Sequence, residues 1–376
     1  MNLEGRIDIT LAPGAVAIRS TRPQLAQKLL GGRTPAEAAK LAGLIFSLCG
    51  KAQRVACEAA CAAAAGEGAA PGSDASRARS LAVALEGAQE HAWRLLLDWP
   101  RQAGQPADQD SQLRLRQAAA DPAAFAATLD ALLRDTLLGE PAAAWLARDL
   151  DAFDAWRRAG ATPVARLFAS LGEGADTGVS QAALLPALPA LDDATACDFA
   201  RLALDTPAFC GQPLWQGLPA ETGAIARVHA QPLLAAWIAR RGRGAGARLL
   251  ARLLELAALP ARLCGAGIPA GSFGSNGCAG KTLGATLVRA WTLGDNTGLA
   301  GVETSRGLLL HVVKLADAKV AQYRIVAPTE WNFHPAGPLF QALSGLDRGE
   351  GLEVRARLVA QSLDPCVAYG IEIENA

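Results

Sequence analysis

The segment GLLLHVVKLADAKVAQYRIV (307–326) contains two β-rich runs separated by a short turn. Residues 307–315 and 319–326 are rich in β-branched and other apolar side chains, which favour strands. The intervening Ala316-Asp317-Ala318 has the length of a tight hairpin connection. The segment therefore predicts a β-hairpin late in the chain.

The start of the chain also predicts a strand. Leu3, Ile7 and Ile9 alternate with polar side chains over residues 3–10, and a period of two is the pattern of a half-buried strand. Small β elements are therefore expected near both ends of the chain.

Helices are predicted for most of the remaining sequence. Thr34 suits an N-cap, Pro35 suits the first helical position, and Glu37 completes a capping box. This helix is predicted to continue through Cys49 to about residue 65. Further helices are predicted from about residue 74 to just before Pro100, from Asp121-Pro122, through Ala/Leu-rich sequence to about 263, and near 338–345 and 351–361.

The predicted fold class is α+β and predominantly α, with a helical core and small β elements near both ends. We expect a single domain over residues 1–376. Two loops interrupt it: a flexible Ala/Gly loop at about 62–73 and a Gly/Ser-rich loop at about 265–280.

Composition narrows the functional classes. The chain is 51% hydrophobic and 19% charged, and Lys+Arg and Asp+Glu are both 36. This composition provides a core and no basic excess for nucleic acid or membrane surfaces. The N-terminus carries charges, and there is no apolar run of about 18 residues that would span a bilayer. We therefore expect a cytoplasmic protein with reduced thiols and no membrane insertion.

Five stretches, in the same order along the chain, resemble the large subunit of NiFe hydrogenases. They are GGRTPAEAAKLAGLIFSLCG (31–50), TPAFCGQPLWQGLPAETGAIAR (206–227), VETSRGLLLHVVKL (302–315), APTEWNFHPAGPLFQAL (327–343) and SLDPCVAYGIEI (362–373). The resemblance implies a large-subunit-like fold.

Departures from this family concern the metal ligands. Two C-x-x-C pairs supply four thiolates in the family, whereas this chain has Cys49 with Ala52 and Cys366 with Tyr369. A pair on one helical turn directs two thiolates at one metal centre. Because each pair has lost its second cysteine, half of the thiolate ligands are missing. The family's terminal histidine falls on Glu372, and its proton-transferring glutamate falls near Gln27. The chain is therefore expected to bind no nickel and not to be an enzyme.

Other family positions are retained. In the family, residues matching Arg306, Pro328 and Thr329 donate hydrogen bonds to the cyanides of an Fe(CN)2(CO) unit, and Asp364 matches a neighbouring carboxylate. The resemblance implies that Cys49 and Cys366 hold this fragment transiently. Because these cysteines match terminal nickel ligands, such iron binding requires a geometry different from that of the enzyme.

This combination resembles the HupK/HoxV family of hydrogenase maturation proteins. It implies an assembly scaffold or carrier for Fe(CN)2(CO), with a HypC-type chaperone and the hydrogenase large-subunit precursor as partners. Three alternatives stay open: a structural pseudo-subunit without metal, a divergent hydrogenase, and a nucleotide-dependent assembly factor. The last rests on SNGCAGKT (275–282), which lacks the first glycine of a phosphate-binding loop.

The remaining candidates favour structural roles. Cys57 and Cys61 share one helix face and are interpreted as packing residues, as are the isolated cysteines 197, 210, 264 and 278. His91 is expected to be a satisfied helix histidine and His311 a half-buried structural partner. Trp331 is expected in the core. Asn332 is expected to organise the turn after it.

Overall fold

The computed structural model describes residues 5–46, 48–70, 72–172, 174, 176–263 and 287–374. The Gly/Ser-rich stretch 265–280, the SNGCAGKT segment, Cys264 and Cys278 lie outside the described residues. In the described ranges the chain forms two compact units, one of residues 5–86, 180–226 and 287–374, and one of residues 87–179 and 227–263. The first is called the cysteine unit because it holds Cys49 and Cys366, and the second is called the helical unit.

Most described residues that form regular structure are helical, as predicted. The α-helices are α1 (Ala26–Leu30), α2 (Pro35–Ile45), α3 (Gly50–Ala64), α4 (Asp74–Trp93), α5 (Trp99–Gln102), α6 (Gln109–Ala118), α7 (Pro122–Leu132), α8 (Ala142–Leu146), α9 (Leu150–Ala159), α10 (Pro163–Ser170), α11 (Asp193–Asp205), α12 (Ala224–Val228), α13 (Pro232–Arg241), α14 (Ala245–Leu263), α15 (Pro328–Asn332), α16 (Pro338–Ser344) and α17 (Leu352–Ser362).

The strands of the described residues form three sheets. They are β1 (Arg6–Ala12), β2 (Ala15–Ser20), β3 (Ala183–Leu184), β4 (Ala220–Glu221), β5 (Val288–Thr292), β6 (Thr297–Thr304), β7 (Gly307–Ala316), β8 (Lys319–Val326) and β9 (Ala368–Ile373). One sheet has the order β2-β1-β9, the second pairs β3 with β4, and the third has the order β5-β6-β7-β8. The α+β, predominantly α fold class is confirmed.

The predicted hairpin is β7 and β8. Asp317 and Ala318 both have positive φ, 48° and 58°, which is the backbone of a two-residue turn matching the twist of antiparallel strands. The strands β5 and β6 were not predicted. All residues of β6 are buried, so it lacks the alternation that marks a half-exposed strand.

Helix α2 begins as the sequence predicts. The Thr34 side chain accepts a hydrogen bond from the Glu37 backbone N–H, and the Glu37 carboxylate accepts one from the Thr34 backbone N–H. This reciprocal pair satisfies two amide groups that have no partner inside the helix.

The prediction that this helix runs through Cys49 is wrong. Helix α2 ends at Ile45, and α3 starts afresh at Gly50 with Cys49 as its N-cap. Gly50 packs tightly at the break, because a Cβ there would lie 2.6 Å from the Gly43 carbonyl oxygen. Cys49 is therefore placed by a helix start and not by a helix interior.

Helix α3 packs directly on the third sheet. Its inner face consists mainly of alanines such as Ala56 and Ala60, whose small side chains let the helix backbone approach the strands. Gly298 of β6 is needed at the contact, since a Cβ there would be 2.2 Å from the Ala60 carbonyl oxygen. This close approach connects the helix that follows Cys49 to a rigid sheet.

The first sheet connects the two ends of the described chain. β1 runs antiparallel to β2 and parallel to β9, with Ile7 opposite Tyr369. Ile7, Ile9 and Leu11 are buried against α16 and α17. The chain entering β9 passes through Cys366, so this sheet determines where that cysteine lies.

The helical unit has its own core. Edge-to-face and tilted aromatic contacts, with ring centroids 5.2 to 6.4 Å apart, join Trp145, Phe153, Trp156, Phe168 and Trp237. Such geometry adds attraction to the burial of large apolar rings. The unit is therefore stabilised by contacts that do not involve the two cysteines of interest.

The predicted helix stop before Pro100 is wrong. After α4 the chain forms one wide π turn at Arg94–Asp98 and continues as α5 to Gln102. Pro100 lies in the first turn of α5, where its missing N–H removes little and its ring avoids the preceding carbonyl groups.

Candidate functional site around Cys49 and Cys366

A cavity of about 410 Å³ lies within the cysteine unit. Five of the six predicted site residues line it, and the sixth, Asp364, contacts one of those five. The lining residues come from α1 and the segment before it, from α2 and the start of α3, from the β6–β7 turn and β7, from the start of α15 and from the segment before β9. They include Arg22, Cys49, Gln53, Arg306, Pro328, Thr329 and Cys366.

Cys49 is partly buried beside the first turn of α3. Its sulfur accepts a hydrogen bond from Gln53 Nε2 at 3.7 Å. Burial, followed by the proximity of Cys366, raises the pKa of the Cys49 thiol to about 12, while Arg306 acts in the opposite direction. In the metal-free protein the sulfur is thus a thiol at neutral pH.

The Glu86 carboxylate lies at the N-terminus of α3. It accepts hydrogen bonds from the backbone N–H groups of Lys51 and Ala52, at 2.8 and 2.9 Å. These amides would otherwise stabilise an anion at the helix start. The negative charge of Glu86 also contributes to the raised pKa of the Cys49 thiol.

Cys366 lies in a bend between α17 and β9. Thr329 Oγ1 donates a hydrogen bond to its sulfur at 3.1 Å, and the Cys366 backbone N–H donates to Thr329 Oγ1 at 3.5 Å. A hydroxyl has a single hydrogen. In this arrangement the Thr329 hydroxyl therefore donates its hydrogen to the Cys366 sulfur, and donation to a cyanide would require the hydroxyl to rotate.

Arg306 and Asp364 form a buried ion pair at the cavity. Arg306 Nε lies 3.5 Å from Asp364 Oδ1, and the two residues are 3% and 1% exposed. Arg306 is placed by the tight β6–β7 turn, in which Thr304 Oγ1 accepts from the backbone N–H groups of Arg306 and Gly307. The pair holds a guanidinium group in the cavity wall without leaving its charge uncompensated.

The glycine of the Arg306-Gly307 pair is required by its backbone conformation and its close neighbours. Its φ is 131°, and a Cβ there would lie 2.4 Å from Thr222 Cγ2. The Thr222 hydroxyl also accepts from the Leu308 backbone N–H at 2.9 Å. Only glycine fits this backbone and this contact, so Gly307 keeps Arg306 at the cavity wall.

A second ion pair at the cavity was not predicted from the sequence. Arg22 Nη1 donates to Glu330 Oε1 at 2.5 Å, with the two side chains 13% and 7% exposed. Burial raises the pKa of Glu330, and Arg22 opposes that shift. Glu330 directly follows Pro328-Thr329, so a carboxylate next to that motif was the available signal. Its partner is distant in sequence and could not be identified from the chain alone.

The residues at the positions of the two missing thiolates do not line the cavity. Ala52 is fully buried in the core between α3 and the third sheet. Tyr369 lies in β9 and packs against the core of the first sheet. The interpretation that both pairs lie on helical turns is wrong for the second pair, because residues 366–369 lead into a strand.

Two further family positions lie outside the cavity lining. Gln27 pairs with the backbone of β8: its Oε1 accepts from the Tyr323 N–H at 2.7 Å and its Nε2 donates to the Ala321 carbonyl at 3.2 Å. Glu372 is exposed on β9 opposite Thr10. Among the described contacts, Gln27 extends the sheet like an additional strand residue.

Among the other described cysteines, Cys57, Cys61 and Cys210 are packing residues, and the interpretation of Cys197 as one is wrong. Cys57 and Cys61 are buried on one face of α3, as predicted. Burial raises the pKa of Cys210 to about 11, and Cys197 is exposed.

His91, Trp331 and Asn332, which the sequence also singled out, are all buried. In the helical unit, His91 Nε2 lies 3.1 Å from Glu255 Oε2, and its Nδ1 lies 3.3 Å from Arg252 Nη1. Trp331 is fully buried. Asn332 does not organise the turn after it: its amide bridges to both the N–H and the carbonyl group of Thr222, because α15 packs beside β4.

The described residues contain no group of three or more His, Cys, Asp or Glu side chains arranged to hold a metal ion. Cys49 and Cys366 line the same cavity. In the same part of the chain no helix is both long enough and apolar enough to cross a bilayer.

Comparison with known proteins identifies the family. The chain is 33% identical to the hydrogenase expression/formation protein HupK of Rhizobium leguminosarum bv. viciae, over 98% of this chain and 96% of that protein. It is 32% identical to the hydrogenase expression/formation protein HoxV of Cupriavidus necator, over 100% and 97%. The chain belongs to the HupK/HoxV family. The resemblance inferred from the five stretches is thus confirmed.

The fold of this HupK/HoxV-family chain is that of a hydrogenase large subunit. A family model for nickel-dependent hydrogenases matches residues 275–372. The Ni-Fe-Se hydrogenase from D. vulgaris Hildenborough aligns with a TM-score of 0.57 and 15% identity, covering 93% of this chain and 92% of that chain. The retained residues Arg306, Pro328 and Cys366 lie within the matched range.

Proposed function

We propose that this protein is a non-catalytic scaffold in NiFe-hydrogenase maturation that transiently holds the Fe(CN)2(CO) fragment as its cargo. The observation that carries the proposal is the convergence of Cys49, Arg306, Pro328, Thr329 and Cys366 on one cavity. These residues come from distant parts of the chain. Their family-matching identities and their common location support one site.

The chemistry of the cavity suits this cargo. Two thiolates are soft ligands for an iron that already carries one carbonyl and two cyanides. A cyanide nitrogen accepts hydrogen bonds well from a guanidinium group, which Arg306 supplies from the cavity wall. One water needs about 10–15 Å³ of such free volume, so 410 Å³ has room for a metal with three diatomic ligands.

The same residues argue against nickel. Ala52 and Tyr369 occupy the positions of the other two thiolates, and neither side chain lines the cavity. Without two bridging sulfurs, a nickel ion has no soft ligands in common with the iron. We propose that the protein does not turn over hydrogen and that the cargo leaves as a single-iron unit.

The proposed cargo implies two protein partners. A labile iron fragment must arrive from one protein and leave for another, so we propose a HypC-type chaperone as the donor and the hydrogenase large-subunit precursor as the acceptor. The names of the relatives, hydrogenase expression/formation proteins, support a place in this process.

Infrared spectroscopy tests the proposal. The full chain, produced anaerobically with its maturation proteins, is expected to show carbonyl and cyanide stretching bands. Cys49→Ser and Cys366→Ser should each remove them, because one sulfur cannot retain the fragment. The control Cys197→Ser, which changes an exposed thiol, should leave the bands unchanged. Stoichiometric nickel in the purified protein would contradict the single-iron proposal.

One observation favours the structural pseudo-subunit as a second candidate. Thr329 donates to Cys366, and Arg306 is paired with Asp364. These polar groups of the cavity wall therefore have partners within the protein itself. An absence of bands in the wild type, with partner binding intact in a pull-down, would favour a subunit that binds partners and no metal.

A further inference from the structure

A line of buried hydrogen bonds runs from the Cys49 sulfur into the core of the cysteine unit. Gln53 Nε2 lies 3.7 Å from Cys49 Sγ, and Gln53 Oε1 lies 2.9 Å from His311 Nε2. His311 Nδ1 lies 2.7 Å from the Tyr323 hydroxyl. The line crosses three elements, α3, β7 and β8, and only His311 was predicted from the sequence to be a structural partner.

The interior of this line is closed to solvent. Gln53 is 3% exposed, and His311 and Tyr323 are 0% exposed. The His311 and Tyr323 rings meet edge to face at 5.5 Å. His311 is therefore more deeply buried than the half-buried position predicted from the sequence, because α3 covers β7. Three buried polar side chains must satisfy one another here, since water cannot reach them.

Both rings stay uncharged at neutral pH. Burial lowers the pKa of His311 to about 3, and burial together with Cys57 raises the pKa of Tyr323 above its usual range. A neutral imidazole has one N–H and one acceptor nitrogen, and a phenol has one hydrogen. The direction of each hydrogen bond in the line therefore determines the direction of the next.

Only two directions are consistent with this chemistry. In the first, Tyr323 donates to His311 Nδ1, His311 Nε2–H donates to Gln53 Oε1, and the Gln53 amide donates to the sulfur. In the second, every hydrogen bond is reversed and the Gln53 carbonyl faces the sulfur. A metal-bound thiolate sulfur has no hydrogen, so only the first direction gives it a favourable neighbour.

We propose that His311 and Tyr323 are positioning residues that fix the Gln53 amide as a hydrogen-bond donor to the Cys49 sulfur. The placement of the Gln53 amide supports this direction, because Nε2 faces the Cys49 sulfur and Oε1 faces His311. The value of this arrangement for iron binding rests on the proposed function, whereas the direction of the line is a property of the metal-free chain.

The first experiment reads the direction without any cargo. Nitrogen NMR of the full chain labelled at its four histidines distinguishes the two imidazole tautomers, and His311→Gln identifies the His311 signals. We expect Nε2 protonated and Nδ1 unprotonated. In Tyr323→Phe, the Nδ1 signal should move towards that of a nitrogen without a hydrogen-bond donor. A protonated Nδ1 in the wild type would overturn the proposal.

The second experiment reads the consequence at the metal. An N–H donor withdraws electron density from sulfur, and so reduces donation to iron and back-donation to the carbonyl. Gln53→Leu should therefore shift the carbonyl band to lower wavenumber. The matched control Gln112→Leu, which removes a buried amide in the helical unit, should leave its position unchanged. An unshifted band in Gln53→Leu would also overturn the proposal.

The two proposals fail in different ways. If the wild type shows no carbonyl or cyanide bands, the cargo function is wrong, and the histidine tautomer still decides whether the line points towards Cys49. If the bands are present but the tautomer is reversed, the cargo function stands and the positioning role is wrong.

Discussion

The two sulfurs of the cavity have different neighbours. Cys366 receives the short side-chain hydrogen bond of Thr329 at 3.1 Å, whereas Cys49 receives the longer one of Gln53 at 3.7 Å. The Gln53 amide is held from behind by His311, and Thr329 is held by its place at the start of α15. Each sulfur therefore has its own donor, and a single substitution can alter one without touching the other.

At the residue scale, His311 makes the stability of the protein depend on pH. Its pKa is about 3 in the folded chain and 6.5 when unperturbed, so the unfolded chain binds more protons below pH 6.5. The folded state therefore loses stability as pH falls from about 6.5 towards 3. We expect His311 to account for a loss of about 2 kcal/mol between pH 7 and pH 5.

Urea unfolding at the two pH values measures this loss. We expect His311→Gln to be less stable than wild type at pH 7, and the difference in the free energy of unfolding between the two proteins should narrow at pH 5 by that amount. His91 and His334 also have lowered pKa values, but both proteins contain them, so the difference isolates His311. A constant gap would show that His311 is not the buried neutral group described.

At the scale of elements, helix α3 is the part that connects the site to the sheet. Cys49 caps its start, Gln53 lies one turn later, and the alanine face beyond packs on β6. Because the helix backbone touches the strand backbone at Gly298, α3 has little freedom to slide. The position of the Cys49 sulfur is thus determined by packing away from the cavity.

This contact gives a prediction for β6. A Cβ at Gly298 would lie 2.2 Å from the Ala60 carbonyl oxygen and 2.4 Å from the Ala64 nitrogen, so helix and strand must separate. We expect Gly298→Ala to lower the free energy of unfolding by about 1–3 kcal/mol, as other overpacked sites do. The control Gly211→Ala meets only ordinary contacts at 3.8 Å and should change it by less than about 0.5 kcal/mol. Equal effects in chemical denaturation would contradict the close approach.

At the scale of the whole molecule, the first sheet brings the two ends of the described chain together. β1 is its central strand and lies between β2 and β9. Cys366 directly precedes β9, while Cys49 follows the α1–α2 segment that leads away from β2. The pairing of β1 with β9 is therefore a condition for the two cysteines to share one cavity.

Truncation tests this dependence. Removing residues 368–376 deletes β9, leaves the other edge of β1 without a partner strand and exposes the core around Ile9 and Leu11. We expect the shortened chain to aggregate or to lose tertiary structure, because an exposed apolar edge strand pairs with other chains. Removing only residues 375–376 leaves the paired residues of β9 intact and serves as the control. Solubility and near-UV circular dichroism distinguish the outcomes, and a soluble, folded truncation to residue 367 would contradict the role of β9.

Local signals predicted several elements well. The Thr34–Glu37 capping box, the Asp121-Pro122 helix start and the 316–318 hairpin turn all depend on neighbours in sequence. Elements determined by burial on all sides were missed or misjudged. β6 has no alternation to reveal it, and the break between α2 and α3 comes from the close packing of Gly43 and Gly50.

The sequence by itself determined the family, the loss of two of four thiolates, and the identities of Cys49, Arg306, Pro328, Thr329, Asp364 and Cys366 as candidates. These features are written in residue types and their order. Only the tertiary structure decided that five of the six line one cavity, that Arg22 pairs with Glu330 there, and that Gln53 connects Cys49 to His311 and Tyr323. The physical reason is that hydrogen bonds and ion pairs act over a few ångströms in space, whereas these partners lie far apart along the chain.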